Sequence, residues 1–494
     1  MKQDDKVYFD LERIPLKSER EEIKRKRRST IISIFSYLFV LLIGLGAGYY
    51  IYSVLHPNKN TYQVTTINEV EYLMKKNWLY GTEYEDIGNE LQQKAINGMT
   101  SFDEDPYTSY MSKEEMDEFA ASINLDYVGI GVQYSSLSGV PLVTRVFKDS
   151  PAYEAGMLAG DIIRAVDGIE VNEDNLDDLK ELVTGERGTE VVLDVQRGNE
   201  LITISIIRDS ISSSVYASVQ DDFVIMEIES FGESTAAEME SYLEDYEDID
   251  KLIIDLRNNS GGYQTSVRDC LRAFIGIGEP YLKQKDVNGI EETDYTLNNG
   301  RVFENFDDIA ILINESTASA AEVFALVMKE EMDNVTLIGE TTFGKGVIQT
   351  NRYLSDGGIL KITSYYWYSP EGTSINGEGV KPDIEIRMPD IYYESYYSME
   401  DDETYEYDSV SESNRIAQLC LEYLDYEVKR TDGYFDESFA SALNTFKREN
   451  DLEADSILDS DTFEMIVSKA SYVISSDQSK DSQMMKAIEV VHEN

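Results

Sequence analysis

The sequence predicts a multidomain α/β chain. Three features predict it: a charge-free apolar run near the N-terminus, a β-rich block over 126–209, and apolar strands alternating with helical segments over 215–390. Helical blocks flank the last two. At 494 residues the chain is too long for one ordinary domain, and a hydrophobic fraction of 42% supplies several cores.

Residues 1–28 are polar and end in Lys24, Arg25, Lys26, Arg27 and Arg28. From Ser29 to Leu55 no charge interrupts the apolar run. Roughly 20 apolar residues cross a bilayer, so 29–55 predicts a single transmembrane helix. The basic cluster before it predicts a cytoplasmic N-terminus and an extracytoplasmic remainder at the cell membrane. A cleaved signal peptide is the competing reading. The long polar start, and the lack of a small-x-small site after Tyr50, weigh against it.

Residues 61–125 form a helical arm, with Val70, Leu73 and Met74, then Leu91, Ala95 and Met99, at helical spacing. The stretch Asp103 to Tyr107 interrupts it. The arm leaves room for a homodimer. Residues 126–209 change character. Tyr127 to Val132, Asp161 to Ile163 and Val191 to Val195 predict strands, and Ser150-Pro151-Ala152 opens a helical turn that Gly156 ends. Residues 210–390 form the α/β block, with strands at Lys251 to Ile254, Ile309 to Ile313 and Val335 to Ile338. Residues 391–414, crowded with Asp, Glu, Ser and Tyr, predict a solvated acidic linker. Residues 415–467 return to helical spacing through Ile416, Leu419, Tyr423, Phe439, Leu443 and Phe446. The last stretch, 468–494, shows little sign of a core and is expected to be a tail.

Charge and histidine usage exclude several functions. The formal net charge is −52, which repels phosphate backbones and sets aside DNA and RNA as partners. The two cysteines, Cys270 and Cys420, fit neither a disulfide framework nor a zinc site and are expected to be buried. Only two histidines exist, His56 beside the apolar run and His492 near the C-terminus. That argues against a Ser-His-Asp triad, a Cys-His pair and His-ligated zinc. A base acting near neutral pH must be another residue.

Ser319 lies where an apolar strand, Ile309 to Ile313, runs into a helical stretch, Val323 to Met328. There it sits near the positive end of the helix, and the backbone N–H after it is free to stabilise an oxyanion. Taken alone, the segment reads first as an ordinary serine-rich helix cap. Lys345 follows another strand between two glycines that permit a tight turn. A lysine acts as a base only when neutral, and burial lowers its pKa from about 10.4. Taken alone, it reads as a solvated turn lysine. Gly339 to Lys345 also fits the first seven places of a phosphate-binding loop. The eighth place is Gly346 rather than a hydroxyl residue, and the strand-like Val347 to Thr350 follows where a helix is required.

Together these segments resemble the carboxyl-terminal processing peptidases, or tail-specific proteases, over roughly residues 60–390. Thr317-Ala318-Ser319-Ala320-Ala321-Glu322 is similar to that family's S-A-S-A-S-E, with Thr317 and Ala321 in place of its outer serines. Thr342 to Gln349 is similar to T-F-G-K-G-x-x-Q, and Asp255 to Gly262 to D-L-R-N-N-x-G-G. Tyr366 to Asp383 resembles the family's closing Y-x-P…G-x-G-[IV]-x-P-D. The resemblance implies Ser319 as nucleophile, Lys345 as general base and Gln349 as orienter, with Gly262 and Ala320 donating the oxyanion-hole N–H groups.

Residues 126–209 resemble the PDZ domain of this family. The resemblance implies that the loop Gly129-Ile130-Gly131-Val132 holds a substrate's C-terminal carboxylate, the peptide adding as a strand. Thr184 stands where many relatives carry an arginine, which in some couples peptide binding to the active site; Arg187 is the nearby candidate to replace it. Residues 415–467 resemble a peptidoglycan-binding module through Asp432 to Asp436 and Leu458 to Thr462.

The expected whole is a membrane-anchored serine endopeptidase: a transmembrane helix, helical arm, PDZ domain, α/β Ser-Lys core and small C-terminal helical module. It would act through an acyl-enzyme on proteins and peptides with apolar C-termini, with the membrane and peptidoglycan as further partners. It needs no metal or organic cofactor.

Overall fold

The computed structural model describes residues 24, 25, 28, 65–125, 127–135, 141–172, 175–198, 200–211, 213–297, 299–394, 399 and 403–493. The apolar run 29–55 lies outside the described residues. Among the described residues no helix is long and apolar enough to cross a membrane.

The chain divides into two compact units, Met1–Met99 and Thr100–Asn494. In the first, helix α1 (Thr66–Asn77) is capped by the Thr65 hydroxyl, which accepts from the Asn68 N–H. A short turn bearing Trp78 stacked on Tyr84 leads into helix α2 (Ile87–Thr100). The expected arm over 61–125 is therefore not one body, since its last two-fifths, from Thr100 on, belong to the second unit. There helix α3 (Lys113–Asn124) begins with a capping box of Ser112 and Glu115. The strand before it, Ser109–Met111, pairs with Ile359 to Lys361.

Residues 127–211 form a small β-rich unit. Its sheet runs in the order 132–135, 142–146, 162–166, 190–197, 200–207. Strand alternation sends Val143, Ile163, Val191, Leu193 and Val195 into its core. The other face offers Leu142 and Ile162 to the C-terminal helices.

The central sheet explains the long Val/Ile/Leu runs. Its order is 215–220, 223–228, 251–255, 308–313, 335–339, 384–385, antiparallel at the first pair and parallel thereafter. Strands covered on both faces need apolar residues at every position. Leu252, Ile254, Ile309, Ile311 and Leu337 face helices α4 (Thr235–Asp245), α5 (Gln264–Ile275) and α6 (Ala320–Glu331). Cys270 is buried among them, and Cys420 is buried in the C-terminal module; both are unpaired. A second sheet, built from 109–111, 280–286, 291–295, 347–353 and 359–368, forms a wall beside the helices.

The C-terminal region departs from expectation at both boundaries. The stretch 391–414 is not merely a solvated linker. Ile391 and Met399 are buried in the module's core, and Thr404–Tyr405 pair with Leu458–Asp459. The apolar and aromatic anchors scattered among its acids are what hold it. Helices α7 (Glu412–Tyr423), α8 (Glu437–Glu449) and α9 (Ser460–Ser476) complete the module. Helix α9 runs without a break past residue 467, because Ala470, Val473 and Ile474 continue its apolar face.

Nor is 468–494 a coreless tail. Helix α10 (Ser482–Val490) covers the second face of the central sheet. Its Met484 and Ala487, with Val491 just beyond, pack on Phe223, Ile253, Ala310, Leu312 and Ile338. The chain thus leaves the central sheet near Ile386, builds the module, and returns to cover the same sheet.

Candidate active site

The strand 308–313 delivers the chain to a tight turn at Asn314–Ala318. The Asn314 N–H donates to the Thr317 hydroxyl (3.0 Å), which itself donates to the Leu256 carbonyl (2.9 Å). The next residue but one, Ser319, has φ +55° and ψ −117°. That conformation is costly for a residue with a Cβ, roughly 1–3 kcal/mol, and persists only where surrounding contacts enforce it. It turns the chain sharply from strand into helix α6.

Glu322 is the enforcing group. It is fully buried on the first turn of α6, and four donors converge on its carboxylate. Oε2 accepts from the backbone N–H of Ser319 (2.7 Å) and of Lys345 (2.9 Å). Oε1 accepts from the Thr342 hydroxyl (2.6 Å) and the Gly344 N–H (2.6 Å). Burial raises its pKa, and these four hydrogen bonds oppose the rise. One carboxylate therefore clamps the serine turn to the lysine loop.

The lysine loop needs its glycines. Gly344 has φ +89°, and a Cβ on Gly346 would come within 2.5 Å of Asn376. The Trp367 indole N–H donates to the Lys345 carbonyl at 2.8 Å. The Lys345 ammonium lies 4.8 Å over the Tyr107 ring. Burial pushes its pKa down, the neighbouring Lys361 charge adds to that, and Glu322 opposes it. Among the described residues Ser319 Oγ and Lys345 Nζ share no hydrogen bond, although both line one cleft of 430 Å³.

Gly261 and Gly262 close the cleft's other side. A Cβ on Gly261 would lie 2.8 Å from Ser319 Cβ, and one on Gly262 would lie 2.3 Å from the Phe231 carbonyl oxygen. Only glycine permits this approach. Among the described residues the N–H groups of Gly262 and Ala320 donate to no partner. Met116, Phe119 and Ile123 of α3, with Val267, Leu282 and Val323, make the cleft largely apolar.

Gln349 lines the same cleft, but its amide donates to the Thr363 hydroxyl (3.4 Å) rather than to Ser319 or Lys345. Thr363 in turn donates to Asp105 (2.9 Å). Burial would raise the Asp105 pKa, but hydrogen bonds from Thr108, Thr363 and nearby backbone hold it below the usual value. That anchored turn is what presents Tyr107 to Lys345.

In the β-rich unit, Gly129 pairs with Asp209 and Val132 with Val146. Between them Ile130 and Gly131 use their carbonyls, accepting from Ala152 (2.8 Å) and Phe147 (3.0 Å). Their N–H groups donate to nothing among the described residues. Thr184 caps its own helix, its hydroxyl donating to the Lys180 carbonyl (2.8 Å), and Arg187 pairs with Asp209 (2.5 Å). Neither reaches the cleft. Arg145 of this unit touches the cleft only through a lining residue: it donates to Glu229 (2.9 Å), which lines the cleft, and also pairs with Glu227. Burial pushes the Glu229 carboxyl up to about 7, with Arg145 opposing.

Four contributors were not singled out from the sequence: Glu322, Tyr107, Lys361 and Glu229. For Glu322 a signal existed, since an acid three residues after a serine at a helix start is a capping-box pattern. Tyr107 lies in the Asp105-Pro106-Tyr107 stretch that the family resemblance includes, without a role attached to it; nothing local marks Lys361 or Glu229.

The chain is similar to known proteins over most of its length. Residues 222–386 match the model of peptidase family S41, 142–197 that of a PDZ domain, and 411–466 that of a peptidoglycan binding domain. The Bacillus subtilis protein named Carboxy-terminal processing protease CtpA is 33% identical over 422 residues, covering 83% of this chain and 88% of that one. The chain belongs to peptidase family S41. It is a CtpA-like serine peptidase with a PDZ domain and a peptidoglycan-binding-type module. The Staphylococcus epidermidis protein named Probable CtpA-like serine protease is 32% identical over 408 residues, covering 80% of this S41 peptidase and 82% of its own length. Among solved structures, the photosystem II D1 C-terminal processing protease matches with 24% identity and TM-score 0.40, covering 65% of this chain and 86% of that one.

Proposed function

We propose that this S41 peptidase is a membrane-anchored, extracytoplasmic endopeptidase with Ser319 as nucleophile and Lys345 as general base. The supporting observation is the Glu322 carboxylate, which holds the backbone of both residues on the wall of one cleft. Peptide entering that cleft displaces the Lys345 side chain from Tyr107; once the ammonium has released a proton to solvent, the neutral amine takes the proton of Ser319 Oγ. Oγ attacks the scissile carbonyl. The Gly262 and Ala320 N–H groups receive the developing oxyanion, a few kcal/mol per donor. The leaving amine takes the proton back, an ester forms on Ser319, and water attacks it to release the acid.

Gln349 would orient the amine once Lys345 has swung inward. The apolar cleft favours apolar substrate side chains. The unused N–H groups of Ile130 and Gly131 suit a C-terminal carboxylate, with Gly129 and Val132 as flanking strand positions. Residues 29–55 anchor the chain, and the C-terminal module addresses it to peptidoglycan.

The test compares full-length wild type, Ser319→Ala and Lys345→Ala on an unfolded reporter ending in an apolar tail. Cleavage by wild type alone supports the dyad. Wild-type rates in Lys345→Ala refute its role as base. Protease protection of sealed vesicles tests the anchor, and co-sedimentation with purified cell wall tests the module.

A further inference from the structure

The loop Asp255–Gly262 is held from beneath by the C-terminal helix. Arg257 stands at its start, largely buried. Its Nε and one terminal nitrogen form a fork on Asp255 (2.9 and 2.6 Å). The other terminal nitrogen turns to the opposite face of the sheet. There it pairs with Asp481 (2.8 Å) and donates to Gln483 Oε1 (3.3 Å). Gln483 is fully buried, and its own amide is fixed by donation to the Ile386 carbonyl (2.8 Å). Asp481 does double duty, since its other oxygen caps α10 by accepting from the Met484 N–H (2.9 Å).

From Arg257 the loop runs directly to the reacting centre. The Asn259 side chain accepts from the Gly261 N–H (2.8 Å), one residue before Gly262. The Asn259 carbonyl accepts from the Ala318 N–H (2.9 Å), one residue before Ser319. A guanidinium fork of this kind is planar and rigid, so fixing its free edge fixes the loop's first residues as well.

We propose that Asp481 and Gln483 are positioning residues for catalysis, acting through Arg257 to hold the loop that carries the Gly262 N–H. The segment beyond the peptidoglycan-binding-type module thereby completes the protease. This rests on the reading of Gly262 as an oxyanion donor and Ser319 as nucleophile. Its signature is a loss of kcat at near-constant KM, because only the geometry of the transition state depends on the loop.

The experiment uses the full chain. Asp481→Asn keeps the helix cap, which Asn supplies as well as Asp, and removes the charge facing Arg257. It is expected to lower kcat and the rate of fluorophosphonate labelling about tenfold, with KM within about twofold, the size of effect a small misplacement of an active-site donor produces. Gln483→Met, which fills the same space, is expected to lower both rates several-fold and stands in if Asp481→Asn does not fold. Met484→Ala, one position on but facing the sheet, is expected to lower the melting temperature and leave kcat near wild type. Adding Asp481→Asn to Arg257→Gln should cost nothing beyond Arg257→Gln alone. Wild-type kcat in Asp481→Asn and Gln483→Met overturns the proposal. So does a kcat loss that Met484→Ala reproduces at an equal fall in melting temperature. Residual cleavage by Ser319→Ala would instead overturn the catalytic reading on which it rests.

Discussion

Replacing Glu322 by Gln keeps the shape of the clamp and removes its chemistry. The carboxylate offers two acceptor oxygens to four donors: Ser319 N–H, Lys345 N–H, Gly344 N–H and the Thr342 hydroxyl. An amide offers one oxygen and places N–H groups against the remaining two donors. If the amide nitrogen turns toward Ser319 and Lys345, two backbone donors lose their acceptor. If it turns toward Thr342 and Gly344, the hydroxyl can rotate but the Gly344 N–H stays unpaired. Hydrogen bonds to a charged group contribute about 1.5–3 kcal/mol each, so losing two costs about 3–6 kcal/mol. Removing a buried charge returns part of that, and a net loss of about 2–4 kcal/mol is expected, shared between stability and the positions of Ser319 and Lys345. The assay is the rate of fluorophosphonate labelling at Ser319 beside a thermal melt of the same sample. We expect labelling slower by about a hundredfold, of which each 1.4 kcal/mol accounts for tenfold. Labelling within threefold of wild type, with an unchanged melt, would refute the idea that Glu322 joins the two catalytic segments.

Other outcomes follow from the same site. Activity should rise with pH as Lys345 loses its proton, with the ascending limb below the range of an ordinary lysine. Lys361→Met removes a like charge that disfavours the Lys345 ammonium, so the limb should move to higher pH in a kcat/KM profile. Lys345→Met should abolish cleavage yet stabilise the fold by about 0.5–2 kcal/mol, as relief of a strained active-site group commonly does. Its sign is set by linkage. The folded pKa of Lys345 is depressed, so between that value and the unfolded value of about 10.4 the unfolded chain holds more protons and wild-type stability rises with pH. The advantage of Lys345→Met should therefore be full below the folded pKa and vanish above the unfolded one, as denaturation at several pH values will show. EDTA should leave cleavage intact, and complete loss on chelation would contradict the mechanism.

Much of the fold was legible because its signals are local. The runs Leu252 to Ile254 and Ile309 to Ile313 read as doubly covered strands, and the glycines at 261, 262, 344 and 346 mark turns that only glycine fits. Ser319 and Lys345 stood out at the ends of apolar strands, whereas Gly262 was marked only by the family resemblance. What stayed hidden depends on distant partners. Glu322 lies 20 residues from the hydroxyl it accepts from, and nothing in either segment states the contact. The pairing of Lys345 with Tyr107 is a rotamer choice made by an anchored turn far back in the chain. Helix α10 did show Met484, Ala487 and Val491 at helical spacing, but nine residues between polar flanks give a weak periodic signal, and its core is completed only by the sheet. The acids of 391–414 likewise masked the few residues, Ile391 and Met399 above all, that anchor that stretch.

The most direct test of the Ser319–Lys345 mechanism is mass-spectrometric mapping of the fluorophosphonate adduct on the full-length protein and on Lys345→Ala. The mechanism predicts one adduct, on the peptide containing Ser319, and labelling of Lys345→Ala slowed by at least about a hundredfold, the ordinary contribution of a positioned base. An adduct on any other residue, or wild-type labelling of Lys345→Ala, would contradict it.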